Sequence, residues 1–191
     1  MVRISSSLVF LSVWLCAGCA SFQQQNSWQA AVENQASQLG YRNWIVIAEA
    51  SFPAHSRPGL RLITADVEVP EALDHVLHVL ERTENVRPQL YTTRELRSLE
   101  NDFAPGIDEL RDKLKSAMHG HEATELDQSS LLTLLQDANR SFDALVIRTR
   151  TALPYSSVFI ELQPGYWDVD SETRLRDRIA RERLEKITRP N

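Results

Sequence analysis

A chain of 191 residues with a formal net charge of −5, its acidic and basic residues interspersed, holds about one folded domain and lacks the basic stripe that a nucleic-acid partner would need. Both cysteines, Cys16 and Cys19, fall at the N-terminal edge, so neither a disulfide framework nor a cysteine metal site can form in the body of the domain.

The N-terminal segment has a single charge, Arg3, then an apolar run over residues 8–15, then Cys16, Ala17 and Gly18 leading to Cys19. This order reads as an export signal, too short and wrongly flanked for a spanning helix. Cleavage before Cys19 would expose a cysteine at the new terminus, which resembles the lipobox of bacterial lipoproteins, although Cys16 stands where that pattern has leucine. A plain secretory signal and a retained N-terminal anchor are the competing readings. The resemblance implies a membrane anchor through acyl chains on Cys19, each buried methylene contributing about 0.8 kcal/mol. It also implies the outer membrane, facing the periplasm, over the inner one, because Ala20 lacks the aspartate that retains such proteins at the inner membrane.

Residues 1–18 are thus read as signal, 19–27 as the lipidated cysteine and tether, 28–167 as the folded domain and 168–191 as a charged C-terminal helix. Trp28, Ala31, Val32, Gln35 and Leu39 recur at near-helical spacing within a helix over 22–39, which Gly40 stops. Residues 44–48, Trp-Ile-Val-Ile-Ala, form a continuous apolar run that predicts a strand covered on both faces. Pro53, Pro58 and Gly59 make residues 51–59 a loop at that strand's C-terminal end. A short strand is expected over 61–65. Pro70 then opens a helix whose stripe is Ala72, Leu73, Val76, Leu77 and Leu80.

A third strand is expected over 88–92, with Thr93 capping a helix that begins at Arg94. A helix over 107–118, a strand over 122–126 and a helix over 131–138, capped by Asp127, follow. The most strand-like stretches are 144–147 and 158–162, separated by a loop over 148–157. Strand and helix alternate throughout, which predicts a layered α/β domain with a largely parallel central sheet flanked by helices. Ligands of such sheets gather beyond the carboxyl ends of the strands, where the loops over 51–59 and 148–157 should meet.

These loops also carry a resemblance. The run Leu39-Gly40-Tyr41-Arg42-Asn43, the apolar strand, and Glu49-Ala50-Ser51-Phe52-Pro53-Ala54-His55-Ser56 are similar to the opening signature of the D-ribose pyranase and L-fucose mutarotase (RbsD/FucU) family. Leu153-Pro154-Tyr155-Ser156-Ser157 before a second apolar strand resembles that family's late motif. The resemblance extends over about residues 30–165. It implies the binding of a free monosaccharide, exchange between its cyclic forms by acid/base ring opening, no metal or organic cofactor, and a ring-like homo-oligomer with sites at subunit contacts.

Four positions depart from the family pattern. Tyr41 replaces its catalytic histidine, and a phenol is a far weaker base than imidazole at neutral pH. Asn43 replaces an aspartate and cannot ionise. Glu49 replaces the strand-end aspartate with longer reach, and Ser157 replaces an asparagine.

The resemblance therefore assigns proton transfer to Glu49 and His55, and substrate contact to Tyr41, Tyr155 and Ser157. Each residue also has a plain reading: Glu49 and His55 as loop braces, Tyr155 as a packed aromatic, Tyr41 as a wall or packing residue, Trp44 as core and Trp167 as packing. His75 with His78, and His119 with His121, are read as solvated, since no carboxylate completes a recognised metal spacing. A non-catalytic, lipid-anchored binding or structural module of the cell envelope is the alternative function, motivated by Tyr41 and Asn43.

Overall fold

The computed structural model describes residues 27–53 and 58–188. Readings that fall on Cys19 and the rest of the signal, and on His55, lie outside the described residues.

Among the described residues, six helices and six strands follow in the order α1 (Trp28–Ala36), β1 (Trp44–Ala48), β2 (Leu60–Thr64), α2 (Val69–Glu81), β3 (Val86–Thr93), α3 (Arg94–Ser98), α4 (Ile107–Ala117), β4 (Ala123–Leu126), α5 (Gln128–Ala138), β5 (Ala144–Arg148), β6 (Val158–Pro164) and α6 (Val169–Thr188). The strands form one sheet in the order β2-β5-β1-β6-β3-β4. The pairs β1 with β5, β2 with β5 and β3 with β4 are parallel, whereas β6 runs antiparallel to both β1 and β3. Five strands thus share one direction, as the alternation predicts, and β6 alone reverses.

Both faces of the sheet are covered, so β1 is buried along its whole length. Side chains alternate across a strand. Ile45 and Ile47 enter the larger cluster with Val32 of α1, Leu73, Val76 and Leu77 of α2, and Leu110 and Leu114 of α4. Trp44, Val46 and Ala48 face the other way, onto Phe159 of β6 and Leu131 and Leu135 of α5. The result is a three-layer sandwich in which, among the described residues, α1, α2 and α4 pack on one side and α5 on the other.

Local side chains cap two of the helix starts. Ser27 and Thr93 are N-caps whose hydroxyls accept from Ala30 N (3.2 Å) and Leu96 N (3.1 Å). Asp127 stands at the N-cap of α5 but makes no capping bond. It pairs with Arg94 at 3.4 Å, and the Glu95 carboxylate accepts from Gln128 N at 3.1 and 3.2 Å instead. A carboxylate from α3 thus satisfies a helix start more than thirty residues away, which local spacing cannot reveal.

Helix α1 ends at Ala36, before Gly40, and Leu39 still packs into the larger cluster. After β6, Gly165 passes so close to the neighbouring chain that a Cβ there would lie 2.2 Å from the Glu84 carbonyl oxygen. Only glycine fits. Most described side chains of helix α6 are exposed, with Arg176 and Glu172 paired at 2.6 Å one turn apart. No helix among the described residues is long and apolar enough to cross a membrane.

Candidate functional site

The reversal of β6 creates the site. Strand β1 lies between β5 and β6, so the connection over 149–157 leaves the C-terminal end of β5, crosses the end of β1 and enters β6 on its far side. Ala48 is in register with Arg148, and Ile47 with Val158. The chain leaving β1 therefore meets the crossing loop at once.

Their contact is a hydroxyl-rich network. Thr149 donates to the Ala48 carbonyl twice, from its N–H and from its hydroxyl, both at 2.8 Å, and Ala50 N donates to the Thr151 carbonyl at 2.9 Å. Glu49 N donates to Ser157 Oγ at 3.1 Å, across 108 positions of sequence. The Glu49 carboxylate accepts from Ser156 N at 3.2 Å, from Ser51 Oγ at 3.1 Å, and from Ser157 Oγ at 3.5 Å. An ionised carboxylate has about four acceptor positions, so close to one is left for a ligand hydroxyl unless Ser51 yields its own.

Thr151 links this network to α2. Its hydroxyl accepts from Val69 N at 2.8 Å and donates to the Glu68 carboxylate. Glu68 in turn holds Arg150 at 3.1 Å. Beneath the network, Phe52 is buried against Phe159 with ring centroids 6.2 Å apart, which presses the start of the 50–53 segment onto the sheet.

Tyr155 is half-buried and packs on the larger cluster. Its backbone is left-handed, φ 60°, which is uncommon for a residue with a Cβ and is held here by Thr93 Oγ1 donating to its carbonyl at 3.1 Å. Ser156 is fully buried and donates to the Leu153 carbonyl at 2.8 Å. The segment 153–157 is therefore a fixed shelf beside Glu49.

Among the residues singled out from sequence, the fold brings Glu49, Ser157 and the Tyr155 backbone together. Tyr41 is elsewhere. It sits before β1, 55% exposed, while Glu49 follows β1, and a five-residue strand at about 3.3 Å per residue separates the two ends. Asn43 also belongs to that far end, where its side-chain oxygen accepts from Asp143 N at 2.9 Å. Ser157 is 5% exposed, so its hydroxyl acts on Glu49 and not on solvent. Trp44 is core, stacked on Tyr91 at 5.6 Å. Trp167 is 39% exposed and donates its indole N–H to Glu172 at 2.9 Å, so packing does not describe it.

Sequence reading passed over Thr149, Thr151, Ser156 and Glu68. The density of hydroxyl residues in 149–157 was the available signal.

A hollow of about 230 Å³ opens between α3, α4 and the ends of β3 and β4, with Thr92, Leu96 and Met118 below and Arg97, Arg111 and Lys115 around it. Arg111 donates from Nη1 to the carbonyls of Leu96, Arg97 and Leu99 and pairs through Nη2 with Asp108, which makes it a brace for α3.

No protein-family model matches the chain, and no curated protein matches it. Among solved structures, Bacillus subtilis RbsD complexed with D-ribose is similar at 20% identity and TM-score 0.49, over 70% of this chain and 92% of its own. The fucose mutarotase from Streptococcus pneumoniae in complex with L-fucose is 15% identical, with a TM-score of 0.43, over 68% of this chain and 89% of its own. FucU from Bifidobacterium longum is 16% identical, with a TM-score of 0.45, over 73% and 96%. At these scores, what this chain binds is a question for its own residues.

Proposed function

We propose that this chain binds a free monosaccharide at the crossing of the 149–157 loop over the end of β1, as an RbsD/FucU-like protein, and that Glu49 moves protons in opening the sugar ring. The observation that carries the reading is the Glu49, Ser156 and Ser157 network, in which the two family-like segments meet through hydrogen bonds of 3.1 and 3.2 Å. Ring opening needs one group to take the anomeric hydroxyl proton and another to give a proton to the ring oxygen as its bond to the anomeric carbon breaks. Glu49 suits the first task and His55 the second. Tyr41 joins the site only across a contact between copies, which the ring-like oligomer implied by the resemblance would supply.

The lipid anchor on Cys19 and a place in the cell envelope belong to the same proposal and rest on the sequence of residues 1–19 alone. Labelling cells with a palmitate analogue tests them: signal on wild type and none on Cys19→Ala is expected, and equal labelling refutes the anchor.

A second reading is favoured by one observation, that Tyr41 and Asn43 lie at the opposite end of β1 from Glu49 with Asn43 occupied by Asp143. It is a non-catalytic envelope module. Exchange NMR with D-ribose, L-fucose and a panel of other sugars separates the two. Catalysis predicts accelerated exchange that Glu49→Gln slows by roughly 100-fold or more. Saturation transfer to a sugar without acceleration supports the non-catalytic module, and neither effect with folded protein defeats the carbohydrate reading.

A further inference from the structure

One histidine of each pair, His78 and His119, meets carboxylates supplied by α2, whereas His75 turns its ring edge-on to Trp28 at 5.0 Å. Asp74, His78 and Glu81 stand on successive turns of α2, and the turn after α4 brings His119 against them. His119 Nε2 lies 2.9 Å from Asp74 Oδ1, and its Nδ1 lies 2.9 Å from Glu81 Oε1. The His78 ring stands edge-on to His119 at 4.6 Å, and its Nδ1 is 3.0 Å from the Asp74 backbone carbonyl oxygen and 3.7 Å from Asp74 Oδ2. One ligand atom each from Asp74, His78 and His119 falls within 4.8 Å of the others. His119 is the least exposed of the group, its side chain 19% accessible, and its left-handed backbone, φ 52°, followed by Gly120, turns it back toward α2.

Charge makes this arrangement informative. A neutral imidazole has one N–H, so with a carboxylate oxygen at each nitrogen one contact is lone pair against lone pair. A positive charge is needed between His119 and one of its carboxylates. A proton on His119 can supply it, and so can a metal ion, which would engage the neighbouring His78 ring as well. Tetrahedral zinc at about 2.0–2.1 Å from its ligands holds them about 3.4 Å apart. The present spacings bracket that value.

We infer that Asp74, His78 and His119 form a divalent transition-metal site of the zinc class, with Glu81 as the carboxylate that orients His119 through its other ring nitrogen. Two imidazoles and one carboxylate match the ligand preference of zinc, copper and nickel and not that of calcium or magnesium. A carboxylate on the distal nitrogen of a ligating histidine is the usual support for such a site. The approach is negatively charged, since Asp74 also borders the groove between α2 and α4 that contains Glu71 and Asp112. The ion would pin the end of α4 to α2, with its remaining coordination position open to water.

The test uses the full chain without a histidine tag, titrated with Co²⁺ and then with Zn²⁺ in competition. Visible ligand-field bands of low-coordinate cobalt are expected at one equivalent, displaced by zinc. His119→Gln and His78→Gln should each abolish the bands, with folding checked by far-UV circular dichroism. His78 is 60% exposed, so its variant is expected to fold even if the first does not. Glu81→Gln should keep the bands and weaken affinity by roughly 10–100-fold. His121→Gln, whose ring is 4.0 Å from Glu81, should leave affinity unchanged. The inference is overturned by folded protein without bands, by bands that survive loss of His78, or by a loss in His121→Gln equal to that in His119→Gln.

Discussion

The two ends of β1 differ in what their polar side chains do. At the C-terminal end, the Glu49 carboxylate accepts from the hydroxyls of Ser51 and Ser157 and from the Ser156 backbone N–H, and the Glu49 N–H donates to Ser157 Oγ, so groups from two distant segments depend on a common geometry. At the N-terminal end each group acts alone: Asn43 holds one backbone N–H of Asp143, Arg42 stacks over Phe142 at 4.6 Å, and Tyr41 projects into solvent. A family-like motif that reads as one unit in sequence is thus split by a five-residue strand into a built polar centre and a set of independent surface braces. Removing one member should cost more at the first end than at the second.

The comparison breaks most visibly at the floor of the network. Phe159→Ala removes a buried ring under Phe52 and should cost about 3–5 kcal/mol, read as a lower urea midpoint, with sugar saturation transfer lost as well. Ser157→Ala leaves the Glu49 N–H buried without its acceptor, so about 1–3 kcal/mol is expected. Asn43→Ala, the corresponding deletion at the other end, should cost about 0.5–1.5 kcal/mol, and Asn43→Asp should recover it because a carboxylate oxygen accepts the same bond. A larger loss for Asn43→Ala than for Ser157→Ala would reverse the ranking.

A pH effect sharpens the contrast beside Trp44. Burial, reinforced by the charge and hydrogen bond of Glu161 at 3.0 Å, pushes the Tyr91 phenol up to about 12. The folded value lies above the unfolded one of about 10, so the stabilisation is complete below that pH and is lost as pH rises through about 12. Absorbance titration should show one late phenol, missing in Tyr91→Phe, and the wild-type midpoint should fall more steeply than the variant's across that window. The smallest effect is expected at Tyr41→Ala, within about 0.5 kcal/mol, because its side chain is half in solvent. The double variant Tyr41→His with Asn43→Asp gives the matching test of function: exchange activity appearing only there would assign the lost chemistry to this end.

Much of the frame was legible locally. The continuous run at 44–48 announced a strand with both faces covered, the stripe at 72, 73, 76, 77 and 80 announced α2, and Thr93 announced the start of α3. The meeting of the two loops was also foreseeable, since both leave the carboxyl ends of neighbouring strands. Three features escaped: the cap of α5 by Glu95, the tie between Asn43 and Asp143, and the carboxylates of α2 around His119. Each joins groups more than thirty residues apart, beyond any spacing that a helix or strand imposes.

By itself, the sequence determined where this chain becomes helix or strand and which side chains must be buried, because apolar periodicity and end-capping act over a few residues. The direction of β6 was decided only in the folded molecule, by pairing with strands distant in the chain. That reversal sends the 149–157 loop over the end of β1 and places Ser156 and Ser157 on Glu49, leaving Tyr41 at the other end.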